Sequence, residues 1–192
     1  MKNDSTGFFM NALILLGFYA FGIFTILTLI YFFAFTILRD RSLTPSQEDA
    51  LRPQVRFAAN FFVTELNLEK YRDNIDLEFS SDLGISTLGS TEFLLDNNNE
   101  HFVIIYLDPS FYRFPWFLFD DPYVILAHEF VHAEQFFTGK IELRNSKTYW
   151  KEKPISLLYP YYLKPWEVDA RERGDALAAK FKQYMKQFKK LN

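Results

Sequence analysis

The stretch HEFVHAEQ at residues 128–135 places two of the chain's three histidines four residues apart, with a glutamate directly after the first. Side chains four apart on a helix lie on one face, about 5–6 Å apart at Cβ. Two imidazoles at that spacing can bind one zinc ion, and Glu129, about 100° further round the helix, can take a proton from a water on that ion. The stretch therefore matches the HExxH motif and predicts His128 and His132 as zinc ligands and Glu129 as the catalytic base.

The sequence around the motif favours a helix. Asp120 and Asp121 before Pro122 are typical of a helix start, and Gly139 is a good residue to end one. A chain of this composition is expected to contain about 0.003 HExxH matches by chance. A helix that carries two histidines without a metal is the alternative.

A catalytic zinc ion needs a third protein ligand and one open position. The segment PWEVDARERGDALAAKF at 165–181 has the apolar stripe of a helix, and its small residues Ala170 and Gly174 would let it approach the motif helix closely. Glu167 extends that stripe, whereas Asp169 lies about 200° away. We therefore expect Glu167 to be the third ligand, with Asp169 in reserve. A carboxylate favoured only by the dipole of its helix is the alternative for Glu167.

Other metal chemistry is limited by composition. The chain has no cysteine, which excludes disulfides and thiolate sites. His101 adjoins the polar turn DNNNE at 96–100, where a solvated side chain is expected. Thr138 occupies the place of the third histidine in the metzincin pattern, so that family is excluded. A net charge of −3 gives no basic footprint, and no nucleic-acid partner is expected.

A long apolar run, FFMNALILLGFYAFGIFTILTLIYFFAFTIL at 8–38, contains no charged residue. About 20 apolar residues suffice to cross a lipid bilayer, so the run predicts a membrane anchor at 1–41, with a buried core helix as the alternative. More arginines follow the run than basic residues precede it, which predicts a single-pass membrane protein with its C-terminal domain in the cytoplasm. That domain is expected at 42–192.

The expected order of elements in this domain is that of an α+β fold. A helix begins near Pro45 and ends at about Leu66. Strands follow at 75–79, 90–96 and 101–108, and we expect them to be antiparallel. The motif helix, a hairpin around residues 145 and 146, and a final helix from Pro165 complete the domain.

HEFVHAEQ (128–135), followed some thirty residues later by PWEVDA (165–170), resembles the glutamate-ligand zincin metallopeptidases, the gluzincins. It also resembles small bacterial and phage proteins with an HExxH motif and a PWE-acidic-Ala helix. The resemblance covers roughly 102–178. It implies a zincin-like domain that holds Zn²⁺ through His128, His132 and Glu167 and uses Glu129 as the base.

The same resemblance implies a strand that lies beside the cleft and runs antiparallel to the substrate. HFVIIYLD at 101–108 is expected in that place. Arg171 stands where the thermolysin-type pattern has an acidic residue that orients a ligand histidine. No partner for the ligand histidines is therefore assigned.

Two functions are compatible with these features. The first is a membrane-anchored zinc metallopeptidase acting on a protein or peptide, in which Tyr159, Tyr161, Tyr162 and Arg171 are candidates for stabilising the oxyanion. The alternative is a non-catalytic, zinc-stabilised binding or regulatory module beside the membrane. Glu129 favours the enzyme, because a pure binding site needs no acid/base group.

Overall fold

The computed structural model describes residues 18–29, 44–80, 83, 87–95, 101–109, 121–145, 147–156 and 158–191. The chain divides into two compact units, Met1–Arg41 and Ser42–Asn192. In the first unit the described residues form one helix, α1, at 18–29. The Thr25 hydroxyl donates to the Phe21 carbonyl oxygen one turn earlier, at 2.9 Å, which satisfies a polar side chain in an apolar helix.

The predicted membrane anchor at 8–38 is wrong. No helix among the described residues is long and apolar enough to cross a membrane. Residues 8–17 and 30–38 lie outside the described part of the chain. The lack of such a helix among the described residues also overturns the predicted single-pass membrane localisation and the predicted fold class, which began with a transmembrane helix.

The second unit has an α+β fold with three described α-helices and two small sheets. The helices are α2 (Pro45–Glu65), α3 (Pro122–Phe137) and α4 (Pro165–Leu191), with short 3-10 helices at Glu69–Asn74 and Tyr161–Leu163. The strands are β1 (Ile75–Phe79), β2 (Gly89–Leu95), β3 (His101–Leu107), β4 (Ile141–Arg144), β5 (Lys147–Trp150) and β6 (Lys153–Pro154).

The first sheet has the order β1-β3-β2, so β3 is its central strand. β3 pairs antiparallel with β2 and parallel with β1, with Val103 opposite both Phe93 and Ile75. The expectation of antiparallel strands is therefore wrong for β1. Three successive strands that reverse direction at each connection leave the first and third parallel, and here the third inserts between the other two. The second sheet, β4-β5-β6, is antiparallel throughout.

Helix α3 is buried against the rest of the second unit. It begins where the sequence predicts: Asp121 caps it by accepting a hydrogen bond from the Tyr123 amide at 2.8 Å. Gly139 follows the end of the helix and has a φ of +70°. The Lys140 amide donates to the Gln135 carbonyl oxygen, so the helix has a Schellman-type end. Most of its residues from Leu126 to Phe137 are buried, so its apolar residues extend round the helix.

Aromatic rings join the three helices of the second unit. Phe62 of α2 lies 5.8 Å from Phe130 of α3 and 5.5 Å from Phe181 of α4, measured between ring centroids. All three side chains are fully buried. Below them, Val103 and Ile105 of β3 face the same core at the period of two expected for a strand. This packing fixes α3 and α4 side by side, and the candidate site lies between them.

Candidate metal centre

His128, His132 and Glu167 converge at one point between α3 and α4. The two Nε2 atoms are 3.0 Å apart, and Glu167 Oε2 lies 3.5 Å from the first and 3.6 Å from the second. Donor atoms about 2.0–2.1 Å from one tetrahedral zinc ion lie roughly 3.3 Å from each other. These three residues could therefore hold a metal ion, and a metal of that size fits the observed triangle.

Close packing of the two helices brings Glu167 to the histidines. A Cβ atom on Gly174 of α4 would lie 3.1 Å from the backbone Cα and N of His128. Glycine at this position therefore sets how closely α4 approaches α3. Ala170, one turn before it, is fully buried in the same interface. Glu167 lies one further step along this face, in the first turn of α4, and is 5 % exposed.

The tautomer of His132 is fixed by Gln135, three residues later on α3. Gln135 Nε2 donates to the Trp166 carbonyl oxygen at 3.0 Å and to Asp169 Oδ2 at 2.8 Å. Because both amide hydrogens are used, its Oε1 faces His132 Nδ1 at 2.9 Å as an acceptor. The proton of a neutral His132 therefore lies on Nδ1, and the lone pair of Nε2 faces the triad. That is the form in which an imidazole binds a metal.

A charged network holds the far side of Gln135. Asp169 accepts from Arg173 at 3.1 Å, and Arg173 donates to Glu134 at 2.9 Å. Lys140 donates to the other Glu134 oxygen at 2.8 Å. Burial alone would raise the pKa of Asp169, but its bonds from Gln135 and Arg173 hold it below the usual range. The structure thus does not bring Asp169, the predicted reserve ligand, into the triad; it orients Gln135 instead.

Glu129 lies beside the triad at the edge of β2. The Thr91 hydroxyl of β2 donates to Glu129 Oε2 at 2.6 Å. A Cβ on Gly89 would be 3.0 Å from Glu129 Oε1 and 2.8 Å from Ile125 Cγ2, so only glycine leaves room for the carboxylate. Burial raises the pKa of Glu129, and the imidazoles of His132 and His128 oppose that rise. A buried carboxylate with a raised pKa suits a base that works near neutral pH.

Tyr161 is the predicted tyrosine that reaches the site. Its hydroxyl hydrogen bonds to Glu167, and partial burial of the hydroxyl together with that carboxylate raises its pKa. Burial would raise the pKa of Glu167, but bonds with His128, His132 and Tyr161 hold it well below its usual range. Glu167 is therefore ionised, as a metal ligand must be.

The other predicted oxyanion candidates lie further out. Neither Tyr159 nor Tyr162 is among the described residues that line the cavities beside the triad. Arg171 lines the cavity next to His128, and its guanidinium donates to the Tyr162 carbonyl oxygen at 2.6 Å. His101 lies outside the triad, exposed at the start of β3.

The strand beside the cleft is β2, and the expectation that β3 occupies this place is wrong. β3 is the central strand, and β2 forms the edge nearest α3. Sequence reasoning also missed Gln135, Thr91 and Gly89. Gln135 had a local signal, since it follows His132 at the i,i+3 spacing of facing helix positions. Thr91 had none, because it lies 38 residues from Glu129.

Comparisons with known proteins identify no relative of this chain, so the interpretation of the site rests on its geometry. No protein-family model, no curated protein and no solved structure gives a significant match to the chain.

Proposed function

We propose that this chain is a zinc metallopeptidase of the glutamate-ligand zincin type, which hydrolyses peptide bonds in a protein or peptide substrate. The observation that carries the proposal is the convergence of His128, His132 and Glu167 with Glu129 beside them. Two imidazoles and one carboxylate are the ligand set of thermolysin-like catalytic zinc sites, which keep a fourth position open.

Zinc is the metal that this donor set favours. Imidazole ligands suit zinc and other transition metals, whereas magnesium and calcium prefer oxygen ligands alone. Zinc bound at such a site acidifies water and polarises a substrate carbonyl group. The bond from His132 to Gln135 supports the same assignment, because it leaves the metal-facing nitrogen unprotonated.

Glu129 supplies the acid/base chemistry. One of its oxygens is held by Thr91, while the other faces the space that Gly89 leaves open. This carboxylate accepts a proton from the attacking water and returns it to the leaving amine. Tyr161 lines the cavities on both sides of the triad, and its hydroxyl, which donates to Glu167 in the structure, would turn from that carboxylate to donate to the oxyanion that forms at the substrate carbonyl.

The edge of β2 offers a backbone for an extended peptide. The Asp108 amide donates to the Leu88 carbonyl oxygen at 2.9 Å, so even-numbered residues of this segment bond to β3. The backbone groups of Gly89, Thr91 and Phe93 then point to the outer edge, which no described strand covers. Strand addition at such an edge is a common mode of peptide recognition.

The alternative function, a zinc-stabilised binding module without activity, uses the same metal. It gives no role to the buried Glu129 carboxylate, to the Thr91 bond that orients it, or to the missing side chain at Gly89. A buried carboxylate that serves no purpose is costly to retain. These three features favour the enzyme.

The test compares Glu129→Gln with Glu167→Ala in the full chain supplied with zinc. Glu129→Gln is nearly isosteric, so we expect it to bind zinc and to lose hydrolysis of casein or a peptide mixture. Glu167→Ala removes a ligand, and we expect loss of both zinc and activity. Zinc content by mass spectrometry and peptide release are measured together. Hydrolysis by Glu129→Gln at the wild-type rate would rule out this base, and a wild type without zinc-dependent hydrolysis would rule out the proposed enzyme.

A further inference from the structure

A cleft runs from the metal triad along β2 to an apolar far end. We propose that this cleft selects peptides that carry a bulky apolar side chain on the N-terminal side of the cleaved bond. The inference rests on the proposed peptidase function and adds the class of substrate.

The cleft is continuous from the reacting groups outward. A cavity of about 270 Å³ is lined by Glu129 and Glu167 at the triad and by Phe93, Ile141 and Leu143 further out. A second cavity of about 580 Å³ is lined by the same three apolar residues. The two cavities therefore meet at Phe93, Ile141 and Leu143, and a side chain that passes the triad enters an apolar space.

Large apolar side chains form much of the wall of this space, while His101 and Glu142 also line its far part and Lys164 the part next to the triad. Phe93 of β2 stacks on Phe136 of α3 with ring centroids 4.3 Å apart. Leu143 of β4 lines both cavities with Phe93, and it is 66 % exposed. A leucine this exposed in the wall of a cleft leaves apolar surface for a ligand to cover. Phe136 and the start of β4 line its far end.

The opposite side of the triad has fewer large apolar side chains. A cavity of about 520 Å³ there is lined by Leu88 and Ile125 but also by Arg171 and Asp175. These charged groups reduce the gain from placing an apolar side chain on that side. Phe93, Phe136, Ile141 and Leu143 give the Phe93 side the larger apolar wall, so that side is the one that discriminates by apolar burial.

The direction of β2 sets which part of the substrate enters the apolar space. β2 runs from Gly89, which adjoins Glu129, towards Phe93. A peptide antiparallel to β2 has its N-terminal side at Phe93, and antiparallel pairing is the more stable arrangement. Phe93 lies two residues beyond Thr91, about 7 Å along the strand. The selected side chain therefore belongs to one of the two residues before the cleaved bond.

The test uses peptides with one constant core and a single variable position. In the first series, Phe, Leu, Gly or Asp is placed at one of the two positions before the cleaved bond. In the second series, the same four residues are placed at one of the two positions after it. We expect kcat/KM to be about tenfold or more higher for Phe and Leu than for Gly and Asp in the first series only. Mass spectrometry confirms the cleaved bond.

Leu143→Asp is the variant that tests the wall, and it should reduce the preference for Phe over Gly to near one. Leu158→Asp is the matched control, because Leu158 is 93 % exposed and lines none of the cavities described above; it should keep the wild-type preference. Cleavage without preference, or a preference confined to residues after the bond, would overturn this inference and leave the peptidase intact. Absence of cleavage of every peptide by the zinc-loaded wild type would overturn the peptidase, and the inference with it.

Discussion

At the scale of the residue, Gln135 is the side chain that orients one of the three candidate metal ligands. It is fully buried, and its amide joins His132 to Asp169 and to the backbone of α4. A ligand histidine whose outer nitrogen donates to a fixed acceptor is held in one tautomer and one orientation. Loss of such an outer partner typically weakens metal binding about 10–100-fold.

We therefore predict that Gln135→Leu weakens zinc binding by about 10–100-fold. The leucine fills a similar volume but accepts no hydrogen bond from His132, so the ring loses its fixed tautomer. Competition against a chromophoric chelator measures the affinity. Gln183→Leu is the matched control, because Gln183 is exposed on α4. Equal affinities for the two variants would exclude a positioning role for Gln135.

Sequence alone predicted the residues of the triad because their positions follow from helix periodicity. His128 and His132 share one face of α3, and Glu167 continues the face of α4 that Ala170 and Gly174 define. The residues that were missed depend on contacts between elements. Asp169 was expected to point away from the core, and it lies outside the triad. Its bond to Gln135 could not be predicted, because that bond depends on how α3 and α4 pack.

At the scale of the element, the distance between α3 and α4 decides whether Glu167 lies within reach of the two histidines. Gly174 sets that distance, since a Cβ there would press on the His128 backbone at 3.1 Å. A backbone atom cannot move aside as a flexible side chain can, so a larger residue must push α4 outward. Glu167 lies two turns before Gly174 on the same helix and moves with it.

Gly174→Val is predicted to lower the free energy of unfolding by about 1–3 kcal/mol, which is typical of overpacking. It should also weaken zinc binding, because Glu167 is displaced from the histidines. Urea unfolding and chelator competition measure the two effects.

Gly22→Val is the matched control for that substitution. Gly22 is also helical, in α1, and a Cβ there meets nothing within 4 Å among the described residues. Its free energy of unfolding should stay within about 0.5 kcal/mol of the wild type. If both valine variants bind zinc like the wild type, the close approach of the two helices is not required for the site.

Strand order was the weakest part of the prediction at this scale. HFVIIYL of β3 is the most apolar strand, and its inward side chains are fully buried, as expected for the centre of a sheet. GSTEFLL of β2 is more polar, as suits an edge. The alternation within each strand was predictable, but the choice of edge depends on pairing between distant segments, which local patterns do not encode.

At the scale of the whole molecule, a count of apolar residues led to the predicted membrane anchor that the structure contradicts. The apolar run at 8–38 satisfies a count of residues, but a membrane span requires one helix that is both long and apolar. No helix among the described residues meets both conditions, and α2 and α4, the long helices among them, carry charged side chains. The amphipathic pattern of α4, in contrast, predicted its buried face, because that pattern depends on the positions of charges.

A metal at the triad would also join α3 to α4, which are far apart in sequence, so its binding should stabilise the second unit as a whole. A ligand that binds only the folded state stabilises it by about 2.7 kcal/mol at 100 times its Kd. We predict that zinc raises the Tm of the full chain above its value in EDTA, and that Glu129→Gln shows the same increase because it keeps all three ligands. Glu167→Ala should show little of it.

Magnesium tests whether that stabilisation is specific to the donor set. It demands oxygen ligands in octahedral geometry, so two imidazoles exclude it, and millimolar magnesium should leave the Tm unchanged. A non-specific effect of divalent cations on the acidic surface would instead raise the Tm with both ions and would persist in Glu167→Ala. We expect the Tm to rise with zinc and not with magnesium, in the wild type and in Glu129→Gln but not in Glu167→Ala. That result would separate the role of the metal in folding from the role of the base in hydrolysis.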